Sequence, residues 1–125
     1  MVVMDDYRKG WALRYLREAR VELVSAQTAP KMASSLIFNA MKKAQAAIYH
    51  SLGDPAIIED IIQQKISEQN FVEEPILRCL VEVERSIQQV ASSPDSSSER
   101  SLRMAETVIH VASEIVNLFV DEAED

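Results

Sequence analysis

The chain of 125 residues is 47% hydrophobic and 26% charged, and it contains two glycines, four prolines and one cysteine. Its length suits one domain covering residues 1–125, and its composition argues against disordered and fibrous classes. So few glycines and prolines cannot supply the turns of a β-sandwich or barrel, which excludes an all-β fold. The formal net charge of −7 makes global attraction to nucleic acid or to an anionic membrane unfavourable.

Charge is divided unevenly along the chain. Residues 1–52 hold eight basic and four acidic side chains, whereas the remainder holds five basic and sixteen acidic ones. Solvated helix faces are the simpler interpretation. The alternatives are attraction between the two halves, within one fold or between copies, and a basic first helix that faces phosphate.

The cysteine content and the hydropathy pattern indicate in which cellular compartment the protein is expected. Cys79 has no second cysteine to pair with, and no apolar run reaches the length of about 18 residues that a membrane span needs. We therefore expect a cytoplasmic protein with no membrane contact, no bound metal and no cofactor.

Helical periodicity dominates the first half of the chain. A first helix is predicted from residue 5 to about residue 28, although Gly10 destabilises its first turns by about 1 kcal/mol relative to alanine. A second helix is predicted from residue 30 to residue 52, because Pro30 suits a helix start and Gly53 is expected to end the helix in the left-handed conformation. The many alanine and serine residues between them predict a thin helix that another helix can approach closely.

Three further helices are predicted in the second half. A cap followed by proline at residues 54–55 begins a shorter, isoleucine-rich helix, which ends near residue 68 and exits at residues 69–70. A similar start at residues 74–75 opens a fourth helix, and a polar loop follows it. The last helix begins near Ser97 or Ser98 and runs to about residue 122. Together these elements predict an all-α, antiparallel up-and-down bundle of four long helices plus one shorter helix.

Three enzyme templates do not fit this sequence. Two isolated glycines cannot form a glycine-rich phosphate loop. His50 and His110 are preceded three residues earlier by Ala47 and Thr107, so the Glu-x-x-His pairs of a di-iron bundle are absent. Cys79 lies in an apolar stretch and is interpreted as a small buried hydrophobe rather than a nucleophile.

The aromatic residues of the first helix have two interpretations. Tyr7, Trp11 and Tyr15 lie near basic residues and could stack on nucleic acid bases. The spacing of Trp11 and Tyr15, four residues apart beside the apolar stripe, favours the edge of the core instead.

One polar constellation remains, on the last helix. Arg103 and His110 are seven residues apart, close to two helical turns, and both face away from the apolar side of their helix. Thr107, Glu114 and Asn117 share this side and are the candidate binding residues. A solvated helix back is the simpler interpretation of these five residues.

An apolar seam beside the polar residues favours a second interpretation. Met104, Val111 and Leu118 repeat at intervals of seven outside the core positions, where a second subunit could cover them. We therefore expect a homodimer with these three residues at its interface. In the resulting groove, Arg103 would bind phosphate and His110 would transfer the proton of an RNA 2′-hydroxyl, which is the chemistry of metal-independent RNA cleavage.

Three segments resemble the HEPN family, which is named for higher-eukaryote and prokaryote nucleotide binding. They are the first helix WALRYLREARVELVSA, the second helix SSLIFNAMKKAQAAIYHSLGD and the Arg-six-residues-His spacing of the last helix. The resemblance covers most of the chain and implies a homodimeric helical bundle, often encoded beside a minimal nucleotidyltransferase. Some members are toxin-like ribonucleases whose catalytic pair would correspond to Arg103 and His110, and other members lack activity.

Two departures from the active HEPN members shape the functional prediction. Met104 follows the arginine, where many active members have a polar residue, and no tyrosine follows His110 closely. The favoured hypothesis is therefore a non-catalytic, HEPN-like dimeric module that binds a nucleotide or RNA, or a nucleotidyltransferase partner. The alternatives are a toxin-like ribonuclease and a bundle that only joins other proteins.

Overall fold

The computed structural model describes residues 6–68, 72–93, 95 and 98–124, with the backbone alone for residues 120–124. Every regular element in these ranges is helical, which confirms the all-α class. The helices are α1 (Asp6–Thr28), α2 (Ala33–Leu52), α3 (Pro55–Glu68), α4 (Pro75–Ala91) and α5 (Glu99–Glu124), and a short 3₁₀ helix (Pro30–Met32) precedes α2. The predicted start at residue 5, the exit at residues 69–70 and the start at Ser97 lie outside the described residues.

The packing of α1 on α2 is the most extensive contact of the bundle and is built on alanine. Alanines with no exposed surface occupy the facing positions of both helices: Ala12 and Ala19 on α1, and Ala40, Ala44 and Ala47 on α2. Tyr15 contacts His50, and Glu22 pairs with Lys43 further along, so residue numbers rise along α1 as they fall along α2. The two helices therefore run in opposite directions, and their small side chains allow the close approach that the sequence predicts.

Helix α5 packs against both α1 and α2. Arg20 Nη2 donates a hydrogen bond of 2.7 Å to Ser113 Oγ, and Gln27 Nε2 donates one of 3.4 Å to Glu106 Oε1. These contacts show that α1 and α5 also run in opposite directions. The up-and-down order of the complete bundle, and its division into four long helices and a shorter one, stay predictions.

Helix α4 packs on α2 through buried aliphatic residues, among them Val83, Ile87 and Val90. Its contact with α5 is slight. Helix α3 buries only Ile62 fully, whereas Ile57 and Ile61 are 59% and 42% exposed. The isoleucine-rich segment is therefore a helix, as predicted, but much of its apolar surface lies outside the core.

Side-chain caps begin the later helices as the sequence predicts. Asp54 Oδ1 accepts a hydrogen bond of 2.9 Å from Ala56 N before α3, Glu74 accepts one from Leu77 N at the start of α4, and Ser98 Oγ accepts one of 3.2 Å from Ser101 N before α5. Each oxygen partners a first-turn N–H that the helix itself leaves without an acceptor.

The prediction for Gly53 is wrong. Its φ of 165° and ψ of −143° describe extended backbone rather than the left-handed conformation. Gly53 N donates a hydrogen bond of 3.0 Å to Tyr49 O and thereby completes the last turn of α2. Asp54 follows at once as the N-cap of α3. Because α3 begins immediately after α2, Gly53 does not need the left-handed conformation that ends an isolated helix.

We expect that Ala44→Leu destabilises the protein by about 1–3 kcal/mol, because the added side chain must force α2 away from its neighbours. Urea unfolding followed by circular dichroism measures this change. Ala56→Leu is the matched control, since Ala56 is exposed on α3, and it should change the free energy of unfolding by less than about 0.5 kcal/mol. Equal effects of the two substitutions would contradict close packing at Ala44.

Candidate functional site

The predicted polar residues form one exposed stripe along α5. Arg103, Thr107, His110, Glu114 and Asn117 are all solvent-exposed, and they point away from the buried positions of the same helix: Ala105, Val108, Ile109, Ala112 and Val116. We call these five polar residues the α5 stripe. Its position agrees with the sequence prediction, because the apolar period of α5 fixes which side of the helix faces water.

The two predicted catalytic groups of the α5 stripe, Arg103 and His110, are each paired within their own helix. Arg103 Nη1 lies 3.2 Å from Glu99 Oε1, and His110 Nε2 lies 3.0 Å from Glu114 Oε1. The side chains of Arg103 and His110 are 64% and 73% exposed. Both pairs lie on the surface and join residues one helical turn apart. The guanidinium and the imidazole therefore each contact a different carboxylate rather than one shared reacting atom.

Met104 of the predicted apolar seam lies beside α4, and Met104 and Val111 pack against the core rather than wholly outside it as predicted. Met104 and Val111 are half-buried, and Leu118 is 55% exposed. Because α4 and α5 barely touch, α4 leaves part of this seam uncovered. The structure thus places the three residues on one side of α5.

A shallow cleft of about 220 Å³ lies between α4 and α5 at the arginine end of the α5 stripe. It is lined by Ser86, Arg100, Arg103, Met104 and Thr107. The sequence analysis missed Ser86 and Arg100. Arg100 precedes Arg103 by one helical turn, which is a detectable signal, whereas the contribution of Ser86 depends on how α4 sits beside α5 and has no local signature.

A buried polar cluster joins α2 to α4 on the other side of α4. Gln45, Tyr49 and Glu84 are each at least 93% buried. Gln45 Nε2 donates hydrogen bonds to Tyr49 Oη at 3.0 Å and to Glu84 Oε1 at 2.6 Å, and Gln88 Nε2 donates one of 2.9 Å to Glu84 Oε2. Both carboxylate oxygens are satisfied, so the cluster fixes the position of α4 on α2 without an unpaired polar atom on Glu84.

The sequence analysis also missed this cluster. The available signal was Glu84, which lies four residues after Leu80 and three before Ile87 and therefore on the buried face of α4. Its partner Gln45 interrupts the alanines of α2. Only the packing of the two helices shows that the two side chains meet.

Cys79 and His50, the other two candidate catalytic side chains, lie on α4 and α2. Cys79 is half-buried, and its burial, together with the nearby carboxylates of Glu82 and Glu114, raises the pKa of the thiol. His50 Nδ1 lies 2.8 Å from Ala46 O within α2. Neither residue is arranged for nucleophilic catalysis, because a raised thiol pKa lowers the fraction of reactive thiolate.

The described part of the chain contains no group of three or more His, Cys, Asp or Glu side chains that could hold a metal ion. Among these residues, no helix combines the length and apolar character needed to cross a membrane.

Comparison with known proteins identifies no relative. No protein family, no curated protein and no solved structure matches the chain.

We expect the stability of the protein to fall above about pH 10 through Tyr49. Burial, and then the carboxylates of Glu84 and Glu59, raise the pKa of its phenol, and the hydrogen bond from Gln45 opposes them. Below about pH 10 both folded and unfolded chains keep the phenol proton; above it the unfolded chain loses the proton first, which costs about 1.4 kcal/mol per pH unit.

Tyr49→Phe should remove this part of the alkaline loss. Urea unfolding between about pH 8 and about pH 11 compares the two proteins, and all other titrating groups are common to both. An identical slope in the wild type and the variant would contradict the role of Tyr49.

Proposed function

We propose that the chain is a HEPN-like helical module that forms a homodimer through Met104, Val111 and Leu118. The α5 stripe then binds a nucleotide or RNA, or contacts a nucleotidyltransferase partner, without catalysing a reaction. The observation that carries this proposal is the adjacency of the exposed α5 stripe to an apolar seam that α4 leaves partly uncovered.

The dimer is supported by the position of the seam. Leu118 is a large apolar side chain that is 55% exposed, and the half-buried Met104 and Val111 continue the same line toward the cleft beside α4. A two-fold interface uses the same patch on both subunits, so the α5 stripes of two copies would lie side by side. The second subunit would then cover the apolar seam, and its own α5 stripe would form the opposite side of a groove.

The binding role is supported by the cationic end of the stripe. Arg100 and Arg103 both line the cleft, and a pair of guanidinium groups suits the oxygens of a phosphate. Thr107 lies beside them but donates its hydroxyl to Arg103 O at 3.0 Å. An anionic ligand would draw Arg103 away from Glu99, at small cost because that pair is exposed.

The non-catalytic assignment is supported by the pairing of Arg103 and His110. Each contacts a carboxylate of its own helix in open solvent. An efficient acid–base site instead holds such groups against the substrate in surroundings that exclude water.

A toxin-like ribonuclease remains the second candidate, because Arg103 and His110 do share one side of α5. Two copies related by a two-fold axis could bring these residues into one groove. The third candidate is a bundle that only joins other proteins. Such a bundle needs the apolar seam as a contact surface and no ligand site on the α5 stripe.

For the dimer, we expect Leu118→Glu to dissociate the homodimer with no loss of helicity, because Leu118 is already exposed in the single subunit and a glutamate there brings like charges together. Sedimentation equilibrium at tens of micromolar measures the change, and circular dichroism checks the fold. Val21→Glu is the control, since Val21 is 59% exposed on α1. A monomeric wild type, or a variant that dimerises as well as the control, would count against the proposed interface.

For the ribonuclease alternative, purified protein is incubated with a mixed RNA pool in EDTA. We expect wild type, Arg103→Ala and His110→Ala to show the same residual cleavage, as a contaminant would give. A loss of about 100-fold or more in both variants would instead establish metal-independent catalysis and replace the binding module.

A further inference from the structure

A glycine on the outer face of α1 has no packing role. Gly10 is exposed and helical, and a Cβ atom added there would meet nothing within 4 Å. Glycine destabilises a helix interior relative to alanine. The fold therefore gains nothing from this glycine, and its effect is to leave an open notch on the helix surface.

The notch is a shallow cleft of about 350 Å³ lined by Asp6, Tyr7, Gly10, Trp11 and Arg14. This volume is at the lower end of the range for small-molecule sites and is too small for a folded partner. Tyr7 is 72% exposed, so its ring presents a free aromatic surface at the edge of the cleft.

The Trp11 ring, which forms the inner wall of the notch, is in contact with other aromatic rings. The Trp11 ring centroid lies 6.2 Å from that of Tyr7 and 5.5 Å from that of Tyr15. His50 on α2 stacks at 5.3 Å on Tyr15. Tyr15 packs against the core, as the sequence favours, and its ring contact with Trp11 supports the indole that forms the inner wall of the notch.

Two cations lie on the same face of α1. The Arg14 guanidinium lies 5.0 Å from the centroid of the Trp11 ring, and its contact with Glu18 is a loose 3.8 Å. Arg17 follows Gly10 by seven residues, is exposed, and has no ion-pair partner among the described residues. Arg14 itself lines the notch, and Arg17, two helical turns after Gly10, lies on the same face of α1.

We propose that the notch binds a nucleobase joined to a phosphate, either as a free nucleotide or as one unit of a single strand. The Tyr7 ring stacks on the flat base, Arg14 and Arg17 contact the phosphate, and the missing Cβ of Gly10 gives the base room beside the helix backbone. Asp6 at the opposite edge accepts hydrogen bonds from a sugar hydroxyl or an exocyclic amine. No residue of α5 lines this site, so it does not rest on the proposed function.

Trp11 is the only tryptophan of the chain, so intrinsic fluorescence reports on this site alone. Titration with adenosine monophosphate should change the Trp11 emission with saturation in the submillimolar range. Ribose 5-phosphate, which lacks the base, should bind at least about tenfold more weakly, because base stacking is lost. A short oligoadenylate that binds more tightly than the monophosphate identifies a single strand as the source, and equal affinity identifies the free nucleotide.

Gly10→Ala separates binding from folding. The variant should unfold at a higher temperature, because alanine favours the helix, and yet bind adenosine monophosphate about threefold more weakly, because its methyl group occupies the notch. Tyr7→Ala should weaken binding about tenfold, whereas Tyr7→Phe should bind as tightly as the wild type, because stacking needs only the ring.

Arg17→Ala tests the phosphate contact against its neighbour. Arg20→Ala makes the same change in charge on the same helix, but Arg20 bonds to Ser113. We expect Arg17→Ala to weaken binding about threefold and Arg20→Ala to leave it unchanged. Arg103→Ala should also leave the Trp11 titration unchanged, which distinguishes this site from the α5 stripe.

The proposal is overturned by any of three results. The first is a Trp11 emission that does not saturate with either adenosine monophosphate or the oligoadenylate. The second is a Gly10→Ala variant that binds as tightly as the wild type, and the third is an equal loss of affinity in Arg17→Ala and Arg20→Ala.

Discussion

The close packing of α1 on α2 determines where every other element of the described bundle can lie. Fully buried alanines lie on both helices, and their small side chains allow the backbones to approach closely. Helix α5 then packs against both helices, and its rotation is set by its buried apolar face, Ala105, Val108, Ile109, Ala112 and Val116. That rotation determines which residues of α5 reach water, and hence the composition of the α5 stripe.

Helix α4 is held differently, and the difference creates the cleft. Its position on α2 is set by buried aliphatic residues and by the hydrogen-bonded cluster around Glu84. A buried carboxylate with both oxygens satisfied tolerates little displacement, because any shift of α4 would leave charge without a partner. This side of α4 is therefore fixed to α2, whereas its other side barely meets α5, and the cleft that contains Arg100 and Ser86 lies between them.

The sequence predicts those features that depend on one helix at a time. Apolar spacing gives all five helices and the outward side of α5, and proline with a preceding cap gives the starts at Pro55 and Pro75. Features that depend on two helices have no such signal. Gln45 meets Glu84 only because α2 and α4 pack in one particular register, and Gly53 takes extended backbone because α3 begins immediately after α2. The candidate site follows the same division, since the α5 stripe is predictable and Ser86 is not.

The two candidate ligand surfaces differ in how their cations are held, and this difference has consequences for affinity. On α5, Arg103 lies against Glu99 of the same helix, so an anionic ligand must compete with this carboxylate. Glu99 therefore competes weakly with phosphate for Arg103, because the pair is exposed, and in the proposed dimer a second copy would add positive charge beside it. On α1, Arg17 has no such competitor among the described residues, and Arg14 is oriented by the Trp11 ring rather than by a close carboxylate. The site proposed on α1 therefore needs only a single subunit, whereas the binding role proposed for the α5 stripe is tied to the proposed dimer.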